Sequence, residues 1–182
     1  MTKTYPGMTV EISSLTTGCS ISLFDGIFAT GGITLSQVSI MTGLETYLIQ
    51  NWVKRGFVSS PQRRLYSREH LARIVIINML RDSLQIEKIC EMIRLLTNEA
   101  ASGNHPGIRD EELYHRYVNL LADESVNVSD PQSVLEATAR ICEDIPSATM
   151  RRQLTNTLQI MLYAHTAARM RGKAELLLGS MQ

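Results

Sequence analysis

The stretch NWVKRGFVSSPQRRLYSREHL, residues 51–71, decides how the rest of the chain is read. Its first residues finish a helix predicted over 46–55, in which Ile49, Trp52 and Val53 share an inward stripe while Tyr47, Gln50, Asn51 and Lys54 share the outward one. Gly56 stands just past the end, where a left-handed stop favours glycine. Phe57-Val58, a Ser-Ser-Pro turn and Gln62-Arg63-Arg64-Leu65-Tyr66 then spell a compact basic hairpin. Ser67 is an N-cap for a further helix through Arg81, with Glu69 in the first turn, where the helix dipole stabilises a carboxylate.

Upstream, Thr34 and Gln37 form a capping box and Ile33 and Val38 a hydrophobic staple, so a short helix starts at Leu35 and stops at Thr42-Gly43. Two helices joined through a glycine turn are the helix-turn-helix pattern. Downstream, Gln85 opens a helix whose Ile86, Ile89, Cys90, Ile93 and Leu96 face inward. Gly103, Asn104, Pro106 and Gly107 mark a linker over 97–109. Three more helices are expected near 110–123, 130–143 and 146–177; Asp130 caps the middle one, with Pro131 at its first position. In the last, Met150, Leu154, Leu158, Met161 and His165 recur at the steps of a helix packed along another. Residues 1–33 show no sustained helical period and read as an irregular arm with, at most, one short strand or helix around 20–28.

The expectation is therefore an all-α protein in four segments: an arm (1–33), a helix-turn-helix unit (34–96), a linker (97–109) and a separate C-terminal helical bundle (110–178) for dimerisation or effector capture. A chain of 182 residues, 44% of them hydrophobic, can bury a real core. Lys plus Arg and Asp plus Glu are 18 each, but unevenly placed. Residues 34–96 carry nine basic and five acidic side chains, whereas 109–144 is acidic. Cys19, Cys90 and Cys142 are far apart, which fits buried thiols in a reducing compartment. No apolar run reaches the roughly 20 residues of a membrane span, and a cytoplasmic, membrane-free protein is expected.

The order Thr42-Gly43, Gly56, Arg64-Leu65-Tyr66-Ser67 and the helix entry Leu84-Gln85-Ile86-Glu87-Lys88-Ile89 resembles the DNA-binding half of the MerR regulators. More narrowly, Asn51-Trp52-Val53-Lys54-Arg55-Gly56 and Tyr66-Ser67-Arg68-Glu69-His70-Leu71-Ala72 resemble the bacterial domain-of-unknown-function family 1836, itself regarded as MerR-like. The resemblance covers about a third of the chain and implies a winged helix-turn-helix followed by helices. The hairpin is shorter than a usual wing, and Tyr47 and Gln50 stand where MerR proteins often carry arginine.

Duplex DNA is the partner this pattern points to, bound as a homodimer through the C-terminal helices, because one short recognition helix reads few bases. Lys54, Arg55, Arg63, Arg64 and Arg68 would neutralise phosphates, with Tyr66 as a further donor. Thr46, Tyr47, Gln50 and Asn51 would meet base edges, where Gln50 or Asn51 can pair with adenine through two hydrogen bonds. Tyr66 has a second reading, as a packing residue against Leu71, and that is the stronger one. Trp52, sharing its face with Ile49 and Val53, reads as core.

Enzymatic readings find no support. Gly31-Gly32 lacks the lysine of a phosphate loop, and the consecutive Asp110, Glu111 and Glu112 read as a solvated first turn. His70, His105, His115 and His165 are scattered without metal-ligand spacing, so no metal or cofactor is expected, and His165 reads as a core histidine. Two alternatives stay open: an interaction module that kept the fold without DNA, and a helical protein that binds an unknown small-molecule effector.

Overall fold

The structure, a computed structural model, describes residues 3–98 and 107–181. Most of the expected linker, positions 99–106 with His105, lies outside the described residues. The elements run β1 (Lys3–Thr4), β2 (Glu11–Ile12), α1 (Cys19–Ile27), α2 (Leu35–Thr42), α3 (Thr46–Lys54), α4 (Arg68–Leu80), α5 (Ile86–Asn98), α6 (Asp110–Ala122), α7 (Pro131–Ile141) and α8 (Ala148–Gly179). The architecture is helical, with β1 and β2 a minimal antiparallel pair in which Lys3 faces Ile12. No helix among the described residues is long and apolar enough to cross a membrane.

Helix α4 organises the molecule. Its REHLARIVIINML buries Leu71, Ala72, Ile74, Val75, Ile76, Ile77, Met79 and Leu80, so it is apolar on almost every side and must be covered all round. The cover comes from α2, α5, α6 and α8. The separate C-terminal bundle expected from the sequence is therefore not separate: α4 belongs to both halves, and one continuous core runs from Tyr5 to Ala164.

The supposed irregular arm is likewise a packed layer. Gly7 adopts φ +72° and crosses α4 so closely that a Cβ there would lie 2.3 Å from the Val75 carbonyl oxygen. Asn78 Nδ2 donates to the Gly7 and Thr42 carbonyls, each at 3.0 Å, fastening the arm and the end of α2 to α4. Thr9 adds a backbone N–H bond to Met41 O at 2.8 Å and an Oγ1 bond to Ile40 O at 2.7 Å. From the other side α6 holds the arm: Tyr114 Oη donates to Pro6 O at 3.0 Å, the Gly18 N–H to Asn119 Oδ1 at 2.9 Å, and His115 Nδ1 meets Ser20 Oγ at 2.9 Å. Phe24 of α1, fully buried, stacks on Tyr114 with ring centroids 5.6 Å apart.

The short helices α2 and α3 stand through their ends and one buried face each. Thr34 and Gln37 close the expected capping box, and Gly43 turns the chain at φ +69°. Val38, Leu44, Ile49 and Trp52 are buried beneath the turn. At the far end of the core, α8 buries Met150, Leu154, Leu158 and Met161 along its first half, and Tyr117 Oη shares a 2.8 Å hydrogen bond with His165 Nδ1.

Two outcomes follow from this packing. Gly7→Ala loses about 2–3 kcal/mol, since an L residue there combines a positive φ with a backbone clash; denaturant unfolding reads it, and a loss under about 0.5 kcal/mol contradicts the close crossing. His165 is pushed down to about 4 by burial and then by the Arg169 charge. The unfolded chain therefore takes up the proton first, and stability falls as pH drops from about 6.5 towards 4. Between pH 7.5 and 5 that amounts to about 2 kcal/mol. His165→Gln removes this part of the slope, and an unchanged slope contradicts the assignment.

Candidate functional site

The outward side of α3 is a polar stripe. Thr46, Tyr47, Gln50, Asn51 and Lys54 are all exposed, while Ile49 and Trp52, three residues apart, are sealed into the core. Burial of Ile49 and Trp52 fixes the helix rotation, so nothing on the outward stripe is needed for packing. Tyr47, 69% exposed, stands in solvent at the first turn beside Glu45, the helix N-cap, whose side chain makes no capping bond.

Beside this stripe lies the basic turn. Gln62 and Leu65 pair as an isolated antiparallel bridge, with the Leu65 N–H on Gln62 O at 2.8 Å. The two residues between them, Arg63 and Arg64, take φ +50° and +66°. Two successive left-handed residues closing a two-residue loop are the type I′ arrangement, where Asn-Gly is favoured because a Cβ is crowded. Arginine at both places costs about 1–2 kcal/mol per residue. The sequence indicated the turn but not its handedness. Both side chains are exposed, and among the described residues no ion pair involves Lys54, Arg63 or Arg64.

Tyr66 anchors the turn rather than lining its rim. Its backbone exchanges two hydrogen bonds with Ile33, at 2.7 and 2.9 Å, and its ring, 3% exposed, meets the His70 ring edge-on at 5.7 Å. Burial raises its phenol pKa. Ser67 caps α4 as expected, and the residue that completes the box is His70, whose Nδ1 accepts the Ser67 N–H at 2.9 Å. Burial lowers the His70 pKa, consistent with a neutral ring accepting at Nδ1. Between α3 and the turn runs an open groove of about 410 Å³, floored by Leu35, Val53, Pro61 and Tyr66 and rimmed by Gln50 and Arg64.

Two of the expected phosphate ligands are placed differently. Arg55 turns back to α5, where it pairs with Glu87 at 2.8 Å and lies over the Phe57 ring. Arg68 is engaged by α1 and α6, bonded to Asp25 of α1 and, through Nε at 3.1 Å, to Glu111 of α6. Its neighbour Arg73 forms a two-bond pair with Asp110 at 2.8 and 2.9 Å. The acidic start of α6, expected as a solvated first turn, is thus largely an ion-pair counterpart to α4: the Asp110 and Glu111 side chains are only 12% and 14% exposed. Nothing local in the sequence joins Arg68 to Asp25 or Glu111, since each pair is 43 positions apart.

The stripe and the turn lie within residues 30–117, which match the model of a family described as Domain of unknown function (DUF1836). The match starts just ahead of α2 and ends inside α6. No curated protein and no solved structure matches the chain.

Replacing Arg63-Arg64 by Asn-Gly relieves the left-handed strain, so the double variant unfolds about 1–2 kcal/mol later than the natural chain. Thermal or urea unfolding checks this, and a destabilised variant contradicts the type I′ geometry.

Proposed function

We propose that the chain is a MerR-like DNA-binding transcriptional regulator that grips duplex DNA as a dimer, α3 entering the major groove and the 62–66 hairpin serving as a short wing. The observation that carries this reading is the pairing of an exposed polar helix face with two arginines held outward on a strained turn, both without a carboxylate partner among the described residues. A turn that relinquishes the favoured Asn-Gly for Arg-Arg keeps a feature that folding alone does not favour, and strained backbone of this kind clusters at functional sites.

In this arrangement Arg63, Arg64 and Lys54 meet phosphates, while Thr46, Tyr47, Gln50 and Asn51 reach base edges. The groove between α3 and the wing follows the sugar-phosphate strand, its apolar floor against deoxyribose. Arg55 contributes less because Glu87 already offsets its charge. Arg68 and the buried Tyr66 hold the unit together instead of touching DNA. A small-molecule effector has no assigned residues in this reading.

The test is retention on duplex DNA across a salt series. The natural chain binds random duplex at low salt, and Arg63→Ala with Arg64→Ala lowers the slope of log affinity against log salt by about 1.8, two phosphates at about 0.9 each. Gln50→Ala changes the ranking of sequences more than mean affinity. No retention at low salt contradicts the reading and leaves the same surface to a protein partner.

A further inference from the structure

The turn that joins α2 to α3 is pinned by side-chain hydrogen bonds. Ser39 Oγ donates to Leu44 O at 2.6 Å, Thr42 Oγ1 donates to Val38 O at 2.7 Å, and Asn78 Nδ2 of α4 holds the Thr42 carbonyl at 3.0 Å. Leu44 is buried under this turn, and the next residue, Glu45, is exposed. Glu45 does little for the fold there. Its side chain makes no capping bond to α3, and among the described residues no ion pair involves it. The position is an N-cap, where Ser, Thr, Asp or Asn stabilise a helix. The helix dipole does favour a negative charge, but the shorter Asp supplies that charge and caps as well. A glutamate held in solvent on a braced turn therefore has a reason outside the fold.

We propose that Glu45 selects cytosine, its carboxylate accepting a hydrogen bond from the exocyclic amino group of that base in the major groove. This rests on the reading of α3 as a recognition helix, whose first residues approach base edges. A carboxylate only accepts, so the acceptor edges of guanine and thymine repel it. The donors left in the major groove are the amino groups of cytosine and adenine. Around the adenine amino group an acceptor stands on each side, N7 of the same base and O4 of the paired thymine. Cytosine has an acceptor on one side only, O6 of its guanine, and a C–H on the other. The second carboxylate oxygen thus meets repulsion at adenine and none at cytosine.

The surrounding phosphates sharpen the choice. Like-charge repulsion at Glu45 weakens binding to every duplex, and a cytosine amino group in reach offsets that loss. Without it the carboxylate enters the groove unpaired, so Glu45 acts against wrong sequences as much as for the right one. Lys54, Arg63 and Arg64 supply the sequence-blind attraction on which this selection is laid.

Selection of bound duplexes from a randomised pool, made with the full chain and with variants of Glu45, tests the assignment. The natural chain yields a C·G position that Glu45→Ala loses while the other selected positions stay. Replacing that base pair weakens the natural chain roughly tenfold and the Glu45→Ala chain less than about twofold. Glu45→Ala also binds random duplex roughly threefold tighter, because a repelling charge is gone. Glu45→Gln moves the preference at that position to adenine, whose N6 and N7 match an amide. Glu45→Ser loses the cytosine as Glu45→Ala does, yet unfolds at no lower temperature than the natural chain, which separates base choice from folding. The same consensus for the natural chain and Glu45→Ala overturns the proposal while DNA binding stands. A natural chain that retains no duplex overturns the DNA reading itself, and the cytosine assignment with it.

Discussion

A helix that is apolar on nearly all sides cannot exist at a surface, and that constraint on α4 shapes everything around it. Eight of its side chains are buried, so the chain must supply walls on every side. It does so with α2, α5, α6 and α8, and with an N-terminal layer crossing at Gly7, where only hydrogen fits against the Val75 carbonyl. The charged residues of α4 cluster at its start, where Arg68 and Arg73 are tied to the first turn of α6. These half-buried pairs join α4 to α6 in one register, and such geometry adds orientation as much as energy.

The rigid body so formed has a consequence for α2 and α3. Both are too short to persist alone, yet Val38, Leu44, Ile49 and Trp52 insert into the common core and fix their rotation. What remains outside is the polar stripe of α3 and, next to it, a hairpin tip that holds two arginines in the left-handed region. The stripe is preorganised because its opposite face is not free to turn. The tip is preorganised because its flanks are pinned, Tyr66 to Ile33 on one side and the Gln62–Leu65 bridge on the other.

Local chemistry was readable in the sequence wherever one short segment carried it. The Thr34 and Ser67 caps, the stops at Gly43 and Gly56 and the inward Ile49 and Trp52 all follow from spacing, and all are seen, while His165 is half-buried and hydrogen-bonded to Tyr117. What escaped was held by residues far apart in sequence. The N-terminal layer shows no helical period because its anchors are single contacts such as Asn78 to Gly7 and Tyr114 to Pro6. Arg68 resembled a phosphate ligand since its partners, Asp25 and Glu111, are remote in the chain.

We propose that the outward stripe of α3 and the Arg63–Arg64 turn together form a surface for duplex DNA. Amide chemical shifts of the isotope-labelled protein, followed while a short duplex is titrated in at low salt, test it residue by residue. Binding through this surface concentrates the shifts at 46–54 and 62–66 and leaves α1 and the first turn of α6 unmoved. Shifts centred on Arg68, Asp25 and Glu111, or an unchanged spectrum, would contradict it.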